Sequence, residues 1–239
     1  MSAEVPAGAD QPAAVRLLHT ATAPDGSRPL PWAASPLAGV GRVLEVCCGN
    51  GLLADEFDGR WVGVDPLAGA SRNRLVAGAP TALPLRDNAV DGVVLFLALP
   101  RLRDLDETFA ELRRVLRPSG TLVVVVPAAS PRSIAELRWA PVLAPVHRRG
   151  WTNRSALDGA GWLLAAADFA VLGDDRVAFT LPLPDAAAAH ELVSELPRVG
   201  WWPPQLPDAV ASRVEEGLTR RAGPGRRLPV PLRRLVARR

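Results

Sequence analysis

The chain has 239 residues, 48% hydrophobic and 22% charged, which is enough for one generous core and tight for two domains. No apolar run approaches membrane-span length, and the start MSAEVPAGAD lacks the basic and apolar regions of a secretory signal, so a cytoplasmic protein with no membrane span is expected. The net charge is +3, the chain has no lysine, and its only cysteines, Cys47 and Cys48, are adjacent with no histidine nearby, which argues against an ordinary disulfide and against a zinc site, so no metal is expected.

Residues 1–36 are rich in alanine and proline; the first dozen read as disordered, AVRLLHTA as a short helix and RPLPWAASPL as an extended arm. From residue 42 strands and helices alternate. RVLEV reads as a buried strand, GLLADEF as a short helix, WVGVD as a strand and LAGASRNRLVA, residues 67–77, as a helix. DGVVLFLAL is a strong strand. LDETFAELRRVL, with apolar residues at 105, 109, 112, 115 and 116, is an amphipathic helix broken at RPSG, and TLVVVV is another buried strand. Apolar strands alternating with helices predict an α/β fold, a doubly wound and mostly parallel sheet covered on both faces. Further on, NRSALDGAGWLLAAA reads as a helix, and FAVLG and RVAFTLPL as two strands joined by a tight turn at Asp174-Asp175. Asp185 is placed to cap the helix AAAAHELVSEL, and PDAVASRVEEGLTRRA is a last helix. The tail GPGRRLPVPLRRLVARR, broken by prolines, is expected to be at best partly ordered.

The run VLEVCCGNG, residues 43–51, ends a strand in a carboxylate followed by bare backbone. Gly49 and Gly51 let a ligand approach the main chain. Cys47 and Leu52 stand where a dinucleotide loop would have glycine, and Glu45 would repel a pyrophosphate but attract an ammonium group. Asp65 ends the next strand, where a carboxylate takes both hydroxyls of a ribose. Taken singly, each motif also reads as a structural turn. Together they describe a ligand carrying a cation and a ribose.

These two motifs, with ALPLRDNAVDGVVLFLALPRLRDLDETFAELRRVLRPSGTLVVVVP, resemble the class I S-adenosylmethionine-dependent methyltransferases of the small single-domain type, over about residues 38–182. The resemblance implies a Rossmann-like seven-stranded sheet with an antiparallel last strand, and S-adenosylmethionine as cofactor. It implies Glu45 near the methionine amino group, Cys47, Gly49 and Gly51 in the turn under the cofactor, Asp65 on the ribose and Pro66 near the adenine. Phe96 and Leu97 would lie against the methionine portion. This chain departs from the family at Cys47, and at Ala79-Pro80, where the family often has an aspartate and a free N–H on the adenine edge. Adenine contact would then fall to Pro80 and Thr81, and each lost hydrogen bond costs about 1 kcal/mol.

The resemblance puts the acceptor pocket among the N-terminal arm, the end of the Phe96 strand and an insertion after the fifth strand. That insertion, SIAELRWAPVLAPVHRRGW, carries His147, which reads as a surface histidine with a general base as the alternative. His19 reads the same way, and His190 as structural. Trp201-Trp202 read as a pin for the tail, or as a stacking surface. The expected domains are an arm at 1–36, partly disordered, a cofactor-binding domain at 37–200 and a basic Arg-rich extension at 201–239. The expected function is methyl transfer to a small-molecule acceptor by direct in-line displacement, with no catalytic base named and the oligomeric state open. The alternatives are a non-catalytic scaffold of the same fold, and an RNA methyltransferase gripping through the tail; DNA is not expected as a partner.

Overall fold

Apolar side chains alternate along two central strands and so divide the core in two. The structure, a computed structural model, describes residues 11–68 and 73–239. In β4 (Val90–Phe96) and β5 (Leu116–Pro127), Val94, Phe96, Val123 and Val125 enter one core, while Val93, Leu95, Leu122, Val124 and Val126 enter the other. With β1 (Val43–Val46), β2 (Trp61–Asp65), β3 (Leu75–Ala77), β6 (Ala170–Pro182) and β7 (Arg227–Arg238) they form a seven-stranded sheet of order β3-β2-β1-β4-β5-β7-β6. The pairs among β1 to β5 are parallel, and β7 runs antiparallel between β5 and β6.

The first core is closed by α1 (Gln11–Thr20), α2 (Pro29–Ala34), α5 (Ala140–Arg148), α8 (Ala186–Glu195) and α9 (Asp208–Thr219). The second is closed by α3 (Leu105–Val115), α6 (Ser155–Asp158) and α7 (Ala160–Ala166). In α3 the buried set is Leu105, Thr108, Phe109, Leu112 and Val115, the stripe expected from the apolar spacing. Asp185 caps α8 by accepting from Ala188 N at 2.9 Å. A short α4 (Ile134–Leu137) is tied to β6 by the Glu136–Arg176 ion pair, whose two side chains are only 6% and 10% exposed. Among the described residues no helix is long and apolar enough to cross a membrane.

The arm expected to be extended is the helix α2, because Pro29 sits at a first-turn position where a missing N–H costs nothing. Trp32 of α2 packs edge-on against Phe179 of β6 at 5.5 Å, and Thr22 bridges Thr180, so the arm belongs to the body. The disorder expected for the first dozen residues concerns residues 1–10, which lie outside the described residues. So do residues 69–72 of the helix expected at 67–77, while Leu75–Ala77 of that stretch is the edge strand β3. The short helix expected at 51–57 is a 3-10 turn, Ala54–Phe57.

The supposed hairpin at 169–183 is one strand, β6, and the supposed extension at 201–239 supplies α9 and β7, the seventh strand inside the sheet. A boundary at residue 200 therefore separates nothing. Asp174 and Asp175 do not turn the chain, because β7 brings Arg233 and Arg234 to them at 2.6 and 3.0 Å. Nor do the prolines break β7. Pro231 O accepts from Ala128 N on the β5 side, so the ring nitrogens of Pro231 and Pro229 face the side where β5 has ended.

The arginines of this segment fasten helices to the sheet. Arg233 donates to Asp158 O of α6 at 2.5 Å, and Arg234 stacks on Trp32 of α2 at 4.6 Å and donates to Ser35 Oγ at 2.8 Å. Arg227 binds Thr22 and Thr180, and Arg239 binds Asn88. Side chains held in this way do not form the free basic tail on which an RNA grip was argued.

Four large side chains of β7, Leu228, Val230, Leu232 and Leu235, are fully or almost fully buried. At about 1.5–3 kcal/mol each, their loss rivals the about 5–15 kcal/mol that holds a whole domain together. A chain truncated after Gly225 is therefore expected to lose its cooperative melt in far-ultraviolet circular dichroism. A melt like that of the full chain would mean that β7 is dispensable.

Candidate functional site

The loop after β1 rests on a buried carboxylate. Leu44 and Val46 face the second core, so Glu45 between them faces the first, where it is 2% exposed. A carboxylate in such a place needs hydrogen bonds. Trp61 Nε1, on β2, donates to Glu45 Oε2 at 2.7 Å. The indole reaches back over Gly63, where any Cβ would lie 2.4 Å from the ring and 2.7 Å from Cys48 Sγ, so only glycine admits this arrangement.

Above Glu45 the chain turns through left-handed residues, Cys47 (φ 56°), Gly49 (φ 55°) and Gly51 (φ 74°). Cys47 N and Cys48 N both donate to Val64 O, at 2.8 and 3.4 Å, which ties the loop to the end of β2. Asp65, the last residue of β2, closes on the same loop. Its Oδ2 accepts from Gly49 N at 2.8 Å and its Oδ1 from Leu67 N at 2.9 Å. Outside Gly49 nothing lies within 4 Å of where a Cβ would stand. Gly78 N donates to Asp65 O at 3.2 Å and Ala82 N to Ala79 O at 3.1 Å, so the turn bearing half-buried Pro80 and Thr81 sits beside the end of β2. Pro66 next to Asp65 is exposed. On the other side of the loop β4 ends in Phe96 and Leu97, 8% and 2% exposed, and Leu97 is left-handed (φ 57°) with its N–H on Val125 O at 2.9 Å.

The sequence-predicted residues thus gather at the carboxyl ends of β1, β2 and β4, where open α/β sheets bind ligands. The two carboxylates do so unequally. Asp65 lies on the loop surface, whereas Glu45 lies beneath it, with Cys47 within electrostatic reach of both. Burial is the main reason the Cys47 thiol is pushed up to about 12; Asp65 and Glu45 push the same way and Arg101 opposes them. Cys48 is raised as well, again mainly by burial, then by Glu45 and Asp65. Both thiols are therefore protonated packing groups at neutral pH.

Two further features escaped the sequence reading. Arg101 closes the 3-10 turn Leu99–Arg101 that follows β4, and its half-buried side chain comes within electrostatic reach of Cys47 and Asp65. Gly200, left-handed at φ 82°, brings the chain after α8 down onto the end of β4. A Cβ there would lie 2.9 Å from Leu97 O and 3.6 Å from Arg101 Nη1. Trp201 and Trp202 follow and are each 2% exposed, so they are core residues and not an open stacking surface. A single arginine past a strand end and a lone glycine in a linker are too common to have been picked out.

Behind these tryptophans, between α5, the end of β5 and the start of β7, lies a cavity of about 60 Å³ bordered by His147, Leu143, Glu136 and Pro229. A smaller cavity next to it is lined by His147, Trp201 and Trp202. His147 is thus no surface histidine. Its Nδ1 and Trp201 Nε1 are shut off from solvent and have no hydrogen-bond partner among the described residues. Burial holds the His147 imidazole down to about 4, with Arg154 acting the same way and Asp158 against it, so the ring is neutral at neutral pH. His19 is exposed, and the exposed His190 pairs with Glu215 at 3.0 Å.

Residues 44–124 match the family model described as "Methyltransferase domain". Demethylmenaquinone methyltransferase of Thermobifida fusca is 32% identical over a stretch covering 34% of this chain and 42% of that protein. 2-Phytyl-1,4-naphtoquinone methyltransferase of Synechocystis is 28% identical over 62% of this chain and 71% of that one. The chain thus spans about two fifths of the length of the first of these relatives. Among solved structures, a protein of Bacillus halodurans described as a methyltransferase superposes with a TM-score of 0.56 at 15% identity, covering 87% of this chain and 97% of that chain. The superposition carries the fold alone.

The thiol environment gives a direct test. At pH 8 a group titrating near 12 is about one part in ten thousand thiolate, and an ordinary cysteine about a quarter. In the native protein both cysteines should react with a disulfide reagent at least about a hundredfold more slowly than after unfolding, the rate rising with pH. A fast native thiol would contradict the buried placement of Cys47 and Cys48.

Proposed function

We propose that the chain is a class I S-adenosylmethionine-dependent methyltransferase and that it transfers a methyl group from S-adenosylmethionine to a small-molecule acceptor, a reading supported by the family-model match, the relatives and the fold. The observation that carries this reading is the position of Asp65. Its carboxylate stands at the carboxyl end of β2, against a left-handed loop whose outer side is open at Gly49. A ribose needs such a carboxylate, and a cofactor lying along the main chain needs such a loop.

The residues fit the cofactor as follows. Asp65 would exchange its bond to Gly49 for the ribose hydroxyls. Cys47, Gly49 and Gly51 would form the floor, and Pro66, Pro80 and Thr81 would pack on the adenine side. Phe96 and Leu97 would border the methionine side, with Glu45 beneath as a fixed negative charge favouring a cation above it. When bound, the cofactor supplies a methyl group already activated on a sulfonium, so the task left to the protein is to align an acceptor in line with it and to exclude water. Neutral His147 borders the cavity between α5, the end of β5 and the start of β7, and its unpartnered Nδ1 is suited to holding a hydroxyl on an apolar ring. The names of the relatives support a quinone-type ring as acceptor. The cavity of about 60 Å³ would take the edge of such a ring and not the whole of it.

Titration calorimetry with S-adenosylhomocysteine, the demethylated product, tests the cofactor half. The wild-type protein should bind it, and Asp65→Ala should weaken binding about tenfold or more, the loss of one or two hydrogen bonds to a charged acceptor, while still melting cooperatively. No heat at millimolar ligand, or equal affinity in both proteins, would overturn the assignment in favour of a scaffold of the same fold.

A further inference from the structure

Half-buried arginines in this protein find oxygen partners: Arg60, Arg113 and Arg221 donate to main-chain carbonyls, and others reach carboxylates. Arg114 reaches Glu111 and Asp87, Arg176 reaches Glu136, Arg233 reaches Asp174 and Arg234 reaches Asp175. Arg101 is different. Its guanidinium is half-buried beside Gly200 and makes no hydrogen bond or ion pair among the described residues. Asp65 and Cys47 lie within electrostatic reach but not in contact, and burial draws the pKa of Arg101 downward. A desolvated guanidinium without a partner costs free energy in the ligand-free protein, and a planar anion relieves that cost better than any other ligand.

Position narrows the choice of anion. Arg101 follows β4 directly and stands on the Leu97 side of the loop, whereas Pro80 and Thr81 stand beside the end of β2. A ligand lying across the loop with its ribose at Asp65 would point its amino-acid end toward Arg101. A lone cation there would oppose a sulfonium, and pairing it with a carboxylate removes that opposition. We propose that Arg101 binds a carboxylate of the ligand seated over the Cys47–Gly51 loop, as a two-pronged pair that selects for ligands bearing that group. The inference rests on the cofactor reading above. Two carboxylates meet the description: the α-carboxylate of the cofactor's methionine half, and a carboxylate on the acceptor.

The test compares ligands with and without the group in wild-type protein and in Arg101→Met, which keeps the apolar stem. Calorimetry is run with S-adenosylhomocysteine, with its decarboxylated analogue S-adenosyl-3-thiopropylamine, and with benzoate as a carboxylate that lacks the nucleoside. The expected result is that wild type prefers S-adenosylhomocysteine over the analogue by about tenfold or more, and that Arg101→Met binds the two alike. If wild type shows no such preference but binds benzoate, and Arg101→Met does not, the carboxylate is the acceptor's. A preference that survives in a cooperatively melting Arg101→Met overturns the proposal. So does benzoate binding in neither protein together with equal affinity for the two nucleosides. If wild type binds no nucleoside at all, the cofactor reading fails, and benzoate alone decides for or against Arg101.

Discussion

The hydrogen bond from Gly49 N–H to the Asp65 carboxylate joins the ends of β1 and β2, the place proposed here for the ligand. It depends on a chain of constraints below it. The Asp65 strand end is held by the loop N–H groups of Cys47 and Cys48 on Val64 O, and the loop sits over Glu45, which is anchored by Trp61. Trp61 can reach Glu45 only because residue 63 has no side chain. One buried carboxylate, one indole and one glycine thus hold the loop in a left-handed path that an ordinary turn sequence would not keep.

The two acidic residues consequently have different tasks. Asp65 uses both oxygens on main-chain N–H groups, and those are bonds a ribose can replace because the loop stands open on that side. Glu45 is committed from below and acts on whatever lies above through its charge. Arg101 adds a positive charge within electrostatic reach of Cys47 and Asp65, so the loop region carries charges of both signs. A zwitterionic ligand matches such a pattern, whereas a simple cation or a simple anion meets repulsion at one end.

How much of this was legible depended on whether local chemistry and tertiary role agreed. The strands β1, β2, β4 and β5 and the helix α3 carry apolar runs of the right period, and the sequence reading found them. Glu45, Asp65 and the glycine loop lie at the strand ends, where their spacing in the sequence puts them, because they cluster within one stretch and its sequel. Strand β7 was lost because prolines and arginines are poor strand signals. Its prolines are harmless only because β5 stops before reaching them, and its arginines only because Asp174, Asp175 and Trp32 await them across the sheet. For the same reason Asp174-Asp175 passed for a turn. Arg101, Gly200 and His147 owe their surroundings to distant segments, which no local pattern encodes.

On the reading proposed here, the open face of the Cys47–Gly51 loop is the seat of the nucleoside, with Asp65 exchanging a main-chain partner for a ribose. The most direct measurement is a crystal structure of the protein grown with saturating S-adenosylhomocysteine. Ligand density is expected across the carboxyl ends of β1 and β2, with the Asp65 carboxylate turned from Gly49 N onto the two ribose hydroxyls. An Asp65 still bonded to Gly49 with the ligand elsewhere, or absent, would contradict it.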